Sequence, residues 1–461
     1  MQKFLVKYGL AAHLAILAVA PLFLFAFGLN AVLATVVLWL TAWTAAWVFL
    51  SPSVHQNEAL HQSRRRVHVR IVRDPLTWVS LLVLVFAGLR ALNDGVCMAY
   101  DPETLSWWLK PARFAWYPSS VSGVGFLPFV AFLAVAVVIL GVRHALGGSA
   151  RLFFLLSSSF LSGVAALLAL VFMSRAMQPK VLLTPQSGWL AADLAFTLLL
   201  VGGVMALVSV FERRWLPAVP VLFLAIAGNL VGAFAFGGPL IWLTFAAVLV
   251  LLVVYAVVYL QLTQKNNAGY RFLAVVGCGL CAGGVLSFVL ISPDVLNERL
   301  AFLSDHRLFP TAFLQARAVL SEIALKGWKL HSWIGTGVGA LPIVIKFGAA
   351  DSDWSVISQG LTPFPNGWWQ LLVERGIVGV VLMLSPVLLL AVVYVRKFAS
   401  LLQTRQMLVN PVCWILPLFC LALAFLGLFG PAPFRVEVVI VLSAVCALSI
   451  SSFPVERKDV R

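Results

Sequence analysis

The sequence predicts an all-α, polytopic integral membrane protein with about twelve transmembrane helices and one large extracytoplasmic loop containing short helices. Three observations lead to this fold class. Hydrophobic residues make up 62% of the 461 residues and charged residues only 11%, with a mean hydropathy of +1.01, which is more apolar surface than a soluble core can absorb. Apolar runs of about 20 residues recur along the chain. One long polar stretch, residues 293–375, interrupts them.

Each predicted span is an apolar run long enough to cross the hydrocarbon core of a bilayer, which takes about 20 helical residues. The weakest run is 216–234, because proline, glycine and asparagine residues interrupt it. The runs cover residues 8–28, 30–50, 75–93, 121–142, 152–173, 189–211, 216–234, 239–262, 272–292, 376–395, 411–429 and 436–453.

The spans divide the chain into three parts. Residues 1–292 hold the first nine spans and a basic cytoplasmic loop at 51–74, residues 293–375 form the large outer loop, and residues 376–461 hold the last three spans and a cytoplasmic tail. The N-terminal run is interpreted as a retained span rather than a cleaved signal, because Pro21 directly follows the candidate cleavage site.

The distribution of charge sets the orientation and excludes one class of partner. The net charge of +15 comes mostly from segments that an inside N-terminus makes cytoplasmic, such as the loop 51–74 and both termini. The positive-inside rule then places the large loop on the outer side of the membrane. The excess of basic residues reflects this topology and attraction to anionic lipid headgroups, so no nucleic-acid partner is expected.

The large loop contains a predicted helix that begins at Thr311, a suitable N-cap after Pro310, and ends near Leu330. One face of this helix is apolar and the opposite face is polar. Arg317 lies on the edge of the apolar face, beside Trp328, so it either extends to the surface or points into a site. The apolar face comprises Phe313, Ala316, Leu320, Ile323 and Ala324, and the polar face Gln315, Glu322, Lys326 and Lys329.

Three alternating glycines follow this helix, in the motif Gly335-Thr336-Gly337-Val338-Gly339. Glycines at this spacing let the backbone approach a bulky or anionic group, and successive N–H groups can form an anion nest. A tight turn would use the same residues. The motif also lacks the strand-then-helix setting of a dinucleotide-binding fold.

The chain re-enters the membrane after Asn366, which suits a helix N-cap. Gln370 and Glu374 are four residues apart and therefore share a helix face. Gly376, with a second glycine three residues on, permits close approach of another helix. The adjacent Glu374 and Arg375 are either a solvated pair at the membrane surface or part of a site.

Together these motifs resemble the family of O-antigen ligases and O-antigen polymerases. That family has an arginine-bearing loop helix, a Gly-x-Gly-x-Gly turn, a His-Asn pair and then Glu-x-Gly-x-x-Gly, in this order and spacing. The resemblance covers residues 317–379, and the other spans agree in topology. It is carried by Arg317 with Trp328, by the glycine motif 335–339, and by Pro365-Asn366-Gly367-Trp368-Trp369-Gln370-Leu371-Leu372-Val373-Glu374-Arg375-Gly376-Ile377-Val378-Gly379.

The resemblance implies a glycosyltransferase at the outer leaflet of the bacterial inner (plasma) membrane that uses neither a metal nor a nucleotide cofactor. Its donor would be a glycan linked to undecaprenyl diphosphate. The acceptor would be the lipid A core for a ligase, which is the first expectation, or another lipid-linked glycan for a polymerase. Both termini would be cytoplasmic and the large loop periplasmic, in contact with membrane lipids.

Arginines suit a diphosphate because guanidinium forks bind phosphate oxygens. Two of the candidates stand at outer ends of predicted spans, where a charge is a functional candidate by default. The candidate diphosphate ligands are Arg317, Arg175 and Arg90, with the backbone of Gly335, Gly337 and Gly339.

Pro365 stands where the family has the histidine that is its expected general base. Proline cannot accept a proton, so either another group is the base or the protein does not catalyse. His331 is the first candidate because it adjoins the glycine motif. The other candidates are Glu374, Glu322 and His306, and no metal site is predicted.

Two other functions compete with the transferase. A catalytically idle family member could bind the same lipid, or a partner in cell-envelope glycan assembly, and the proline at the histidine position favours it. A polysaccharide or lipid transporter would place unwound or charged segments within spans and would show internal repeats. The sequence has no such repeat.

Overall fold

The computed structural model describes residues 8–19, 31–50, 69–101, 106–110, 120–121, 126–146, 219–236, 266–290, 311–350, 353 and 367–403, with scattered helical residues between 150 and 168. These residues are mostly helical, which confirms the helical character of the predicted fold. A short helical turn, residues 69–73, precedes the third helix. The first six helices are α1 Tyr8–Val19, α2 Ala31–Leu50, α3 Pro75–Leu92, α4 Phe126–Leu140, α5 Val219–Phe236 and α6 Asn266–Leu290.

A small three-stranded sheet follows α3, and the sequence did not predict it. Strand β1, Asp94–Asp101, lies between β2, Ser106–Lys110, and β3, Ser120–Val121. The β1–β2 pair is antiparallel and the β1–β3 pair is parallel. An isolated bridge joins Ser120 to Val338, so the sheet touches the glycine motif of the large loop.

The large loop contains two short helices, as predicted for this part of the chain. Helix α7, Thr311–Leu330, has the predicted bounds, and α8, Leu341–Gly348, was not predicted. Helix α9 runs from Gly367 to Gln403. Four of the five residues of the predicted apolar face of α7, Ala316, Leu320, Ile323 and Ala324, are buried, and the side chain of Phe313 lies outside the described part of the chain. Leu320, Ile323 and Ala324 pack with Leu341, Ile345 and Val373, which join α7 to α8 and α9.

Two helices in the described part of the chain are long and apolar enough to cross a membrane. These are α3, and Gly367–Val393 within α9, with mean hydropathies of 1.8 and 2.7. Both expose large apolar side chains, such as Leu82 on α3 and Leu388 on α9, and an extended exposed apolar surface of this kind suits lipid or another protein. Most of the twelve predicted spans include residues outside the described ranges, so their number stays a prediction.

Helices α3, α4 and α9 pack together. Val83 and Ala87 of α3 form a buried cluster with Phe132 of α4, and Met383 of α9 packs against it. The predicted close approach at Gly379 is confirmed: a Cβ there would lie 3.1 Å from Phe86 Cε1 and 2.6 Å from Arg375 Cβ. These contacts hold the N-terminal part of α9 against the C-terminal part of α3.

The N-terminal end of α3 is held by a buried carboxylate. Asp74 caps the helix by accepting a hydrogen bond from Leu76 N–H at 3.1 Å. A π-helical turn, Gly141–Ala145, ends α4, and it brings Arg143 Nε to 2.6 Å and His144 Nε2 to 2.8 Å from Asp74 Oδ2. Arg143 and His144 thus both contact one carboxylate oxygen of Asp74 and hold the end of α4 against the start of α3.

The Asp74 carboxylate is also electrostatically favoured in its ionised form. Burial raises the pKa of Asp74, but the hydrogen bond to His144, the charge of Arg143 and the Leu76 N–H together outweigh burial and hold the pKa below its usual value. The folded state therefore binds the Asp74 proton less readily than the unfolded state does.

Helix α9 is interrupted at Gly376. Its backbone there has φ 63° and ψ −177°, in the left-handed half of the map that residues with a side chain rarely adopt. A Cβ on Gly376 would lie 2.5 Å from Gly335 N and would overlap the carbonyl of Trp333. Glycine is therefore required at this position both by conformation and by space.

Replacing Gly376 with alanine is predicted to destabilise the protein by at least about 1–3 kcal/mol, because the side chain meets both a disfavoured backbone conformation and the carbonyl of Trp333. Gly277→Ala in helix α6 is the matched control, since nothing lies within 4 Å of its Cβ position and alanine favours a helix. Thermal unfolding of the purified proteins in detergent measures both. Equal unfolding temperatures for Gly376→Ala and wild type would contradict the proposed constraint.

Asp74→Asn is predicted to lower the free energy of unfolding by about 1.5–3 kcal/mol near neutral pH, because it removes charge-assisted hydrogen bonds. A carboxyl whose folded pKa is depressed contributes stability in full above its unfolded pKa, about 3.9, and loses it as pH falls through the lower folded pKa. The difference between wild type and Asp74→Asn should therefore shrink only below about pH 4. Asp353→Asn, which alters a carboxylate bonded to Ala350 N–H, is the control for general effects of acid. A difference that stays constant to pH 3 would refute the assignment.

Candidate functional site

The candidate site is built around the interruption of α9. The first segment ends at Arg375, so its last carbonyl groups have no partner within the helix. The large loop supplies donors to two of them: Thr336 N donates to Val373 O at 2.8 Å, and Gly337 N donates to Glu374 O at 3.1 Å. Thr336 Oγ1 also donates to Val373 O at 3.0 Å.

The second segment of α9 begins with the reverse arrangement. Ile377 N donates to Ser332 O at 2.9 Å, and Val378 N donates to Trp333 O at 3.1 Å. The loop 332–337 therefore provides acceptors for the start of one segment and donors for the end of the other. Two backbone groups at each end created by the break at Gly376 are therefore paired with the same stretch of backbone.

Arg90 completes this arrangement from the end of α3. Its Nη2 donates to Ile334 O at 3.1 Å and to Arg375 O at 3.2 Å, so one guanidinium joins α3, the loop and α9. Only 2% of Arg90 is exposed, and among the described residues its Nε and Nη1 have no hydrogen-bond partner. A positive group at the carbonyl end of a helix is favoured by the helix dipole.

Arg375 lies on the apolar side of the break. Its guanidinium carbon is 5.5 Å from the centre of the Phe132 ring, and its Nη1 faces the sulfur of Met383. Arg375 is 7% exposed. A buried guanidinium with an aromatic face and a thioether as its neighbours retains a large part of its capacity to bind an anion, because neither partner neutralises its charge.

Glu374 faces the other way, towards the large loop. Its carboxylate accepts hydrogen bonds from Gly339 N–H and from Gln370 Nε2 at 3.2 Å, and it is 4% exposed. The prediction that Gln370 and Glu374 share a helix face is thus confirmed. Among the described residues, no direct ion pair joins Glu374 to Arg90 or to Arg375.

The three buried charges do not balance. Two guanidinium groups and one carboxylate leave one net positive charge, with Arg90 close enough to interact electrostatically with both Glu374 and Arg375. A buried charge without a counter-charge is unfavourable. In the described part of the chain, this cluster therefore has the charge and the donors to hold an anionic group. We refer to Arg90, Glu374 and Arg375 as the break cluster.

The predicted diphosphate ligands do not all lie in the break cluster. Arg90 is part of it. Arg317 is half-buried on α7, next to the buried Ala316, and burial lowers the pKa of its guanidinium, but no described contact joins it to Arg90 or Arg375. Arg175 lies outside the described residues.

The glycine motif has a framework role in this arrangement. Gly335, Gly337 and Gly339 all have positive φ, at 75°, 117° and 81°. Their N–H groups donate to His331 O, to Glu374 O and to the Glu374 carboxylate respectively. An anion would have to displace these protein acceptors, so the role of these glycines as diphosphate ligands stays a prediction without geometric support.

The predicted catalytic residues are in different surroundings. Glu374 is buried in the break cluster. His331 is exposed at the end of α7, where its backbone N donates to Trp328 O and its carbonyl accepts from Gly335 N. Glu322 is exposed and paired with Lys326 at 2.9 Å. His306 and Pro365 lie outside the described residues.

Two features of the site were not identified from sequence. Arg375 was considered only as half of a pair with Glu374, whereas the two side chains face opposite sides of the break. The break itself was also missed, because Gly376 was interpreted as a packing glycine. The signal for both was present in the segment Glu374-Arg375-Gly376, where a glycine directly follows two charged residues inside an apolar helix.

Comparison with known proteins leaves the family open. No model of a known protein family matches the chain, and no curated protein matches it.

Glu374→Gln is predicted to lower the free energy of unfolding by about 1.5–3 kcal/mol, because it weakens the charge-assisted bond from Gly339 N–H and leaves two buried arginines without an acidic neighbour. Glu322→Gln is the matched control, since its ion pair with Lys326 is exposed to water and contributes little. Chemical unfolding in detergent compares the two. If both substitutions leave the unfolding midpoint unchanged, Glu374 has no electrostatic role in the folded protein.

Proposed function

We propose that this protein transfers a glycan from undecaprenyl diphosphate to a lipid or glycan acceptor at the outer leaflet of a bacterial inner membrane, as an O-antigen ligase or a related polymerase would. The observation that supports it best is the break cluster: two buried guanidinium groups, of which Arg90 has two donors without a partner among the described residues, and one uncompensated positive charge. A diphosphate carries the complementary charge and several acceptor oxygens.

The position of the cluster along the helices supports an outer-leaflet site. Residues 377–395 of α9 are uncharged and reach about 28 Å at 1.5 Å per residue, close to the thickness of about 30 Å of a hydrocarbon core. The break at Gly376 then falls at one membrane boundary. On α3, Arg90 is at the matching end and Asp74 at the other.

The basic residues support the orientation in which the break cluster faces outwards. Four arginines lie at the Asp74 end of the group formed by α3, α4 and α9, namely Arg70, Arg73, Arg143 and Arg396. By the positive-inside rule that end is cytoplasmic. The large loop and the break cluster are then periplasmic, where a lipid-linked glycan is exposed after synthesis.

The proposed glycan transfer requires two contributions from the site, stabilisation of the leaving diphosphate and a base for the acceptor hydroxyl. Diphosphate is a good leaving group once its charge is balanced, and fixed donors that stabilise developing charge are among the largest contributions to catalysis. Arg90 and Arg375 would supply this stabilisation. The acceptor hydroxyl also needs a base within reach, and Glu374 is the buried carboxylate of the cluster. Its two hydrogen bonds fix the direction of its carboxylate.

A transporter is the second candidate, because one observation favours it. Transporters use discontinuous membrane helices whose exposed ends bind the substrate, and α9 is discontinuous at a charged cluster. The break lies near one end of the apolar segment rather than at its middle, which fits the transferase better. A catalytically idle protein that binds the same lipid remains the third candidate, on the strength of Pro365.

Arg90→Lys is predicted to reduce transfer by about 10²–10³-fold, because lysine keeps the charge but cannot bridge two carbonyls and a phosphate. Arg375→Lys should show a similar loss, and Lys329→Ala, which removes an exposed cation from α7, should show none. The assay follows transfer of a radiolabelled glycan from undecaprenyl diphosphate by protein in nanodiscs. Thermal unfolding confirms that each variant is folded.

Three outcomes separate the candidates. Folded Arg90→Lys and Arg375→Lys with wild-type rates would remove the break cluster from the mechanism. Movement of the lipid across vesicles without a new glycosidic bond would establish the transporter instead. Gene deletion distinguishes the rest: full-length glycans retained on the carrier indicate a ligase, single repeats indicate a polymerase, and unchanged surface glycans indicate the idle protein.

A further inference from the structure

On the loop side of the Gly376 break, two buried polar atoms have no hydrogen-bond partner among the residues that the structure describes. These are Trp328 Nε1, a donor, and Gln370 Oε1, an acceptor. Buried polar groups are nearly always paired, and leaving one unpaired is unfavourable. A donor and an acceptor left over in the same region indicate that something else satisfies them.

Both atoms belong to one packed unit. Trp328 and Trp369 pack against the same buried cluster, which includes Val373 and joins α7, α8 and α9. Gln370 follows Trp369 directly on α9. Its Nε2 donates to Glu374 Oε1 at 3.2 Å, and because a carboxylate only accepts, the amide oxygen is the atom left without a partner.

The chemistry of this unit differs from that across the break. Arg90 and Arg375 are cationic and lie on the side of α3 and α4. The loop side instead offers a neutral donor, a neutral acceptor, indole rings and the Glu374 carboxylate, which would repel a phosphate. A hydroxyl group both donates and accepts, and pyranose rings pair apolar faces with hydroxyls. This combination fits a sugar.

We propose that the loop side of the break, formed by Trp328, Trp369, Gln370 and Glu374, is a saccharide subsite. This inference rests on the proposed function and deepens it: the diphosphate would lie on the cationic side of the break and its sugar on the loop side. The bond to be broken, between the anomeric carbon and the phosphate oxygen, would then lie beside Gly376. The electron pair of that bond leaves with the diphosphate, and the acceptor hydroxyl forms the new bond to the anomeric carbon as its proton passes to the Glu374 carboxylate.

The test compares two lipids by native mass spectrometry of the full chain in nanodiscs. The probes are undecaprenyl diphosphate and undecaprenyl diphosphate linked to N-acetylglucosamine. Wild type should bind the glycosylated lipid about tenfold more tightly. Trp328→Phe, which keeps an aromatic ring but removes the indole N–H together with the second ring, and Gln370→Met should reduce this preference to near unity and leave the affinity for the bare lipid within twofold. Trp333→Phe is the matched control, because Trp333 is nearby but 69% exposed, and it should keep the preference.

The possible results distinguish failure of the subsite from failure of the proposed function. If Trp328→Phe and Gln370→Met keep the tenfold preference, or lose affinity for both lipids equally, the subsite is overturned while the diphosphate site stands. If wild type binds neither lipid, the proposed function fails. In that event, saturation-transfer NMR with N,N′-diacetylchitobiose decides the subsite: a signal that Trp328→Phe abolishes supports it, and no signal in wild type refutes it.

Discussion

The structure depends on how the backbone N–H and C=O groups at the Gly376 break find hydrogen-bond partners. An interrupted helix in an apolar setting exposes carbonyl and N–H groups that water cannot reach, and each unsatisfied group there is strongly unfavourable. This chain resolves the problem with backbone groups of 332–337 and with Arg90. The positive φ of Gly376 and the close approach of Gly335 follow from this pairing, since a Cβ on Gly335 would lie 2.5 Å from Arg375 N.

The same constraint arranges the charged side chains. Glu374 and Arg375 lie in the last turn before the Gly376 break, and their side chains contact different parts of the molecule, Glu374 the large loop and Arg375 the side chains of Phe132 and Met383. Arg90 enters between them from α3. Successive residues of a helix point about 100° apart, so these two neighbours reach different surroundings. The end of the first segment therefore presents two chemically distinct surfaces, one cationic and one neutral to acidic, next to Gly376.

Local patterns in the sequence were sufficient to predict part of this structure. The bounds of α7, its buried face, the helix face shared by Gln370 and Glu374 and the close packing at Gly379 all follow from helical spacing, and the structure confirms them. The bond from Arg90 to the Arg375 carbonyl joins residues 285 positions apart, and no local period encodes it. The sheet at 94–121 and the capture of Asp74 by the π-helical turn were missed for the same reason. Each depends on which distant elements meet.

Helix α3 has a polar anchor at each end, and its 18 residues span about 27 Å. In the membrane protein that we propose, a helix of fixed length between two held polar ends would match one thickness of the hydrocarbon core. It cannot tilt or slide relative to α4 and α9 without pulling Asp74 from Arg143 or Arg90 from the α9 carbonyls, so hydrophobic mismatch would be borne by the lipid or by a tilt of the three helices together. In the proposed membrane protein, the geometry around Gly376 would thereby stay the same in bilayers of different thickness.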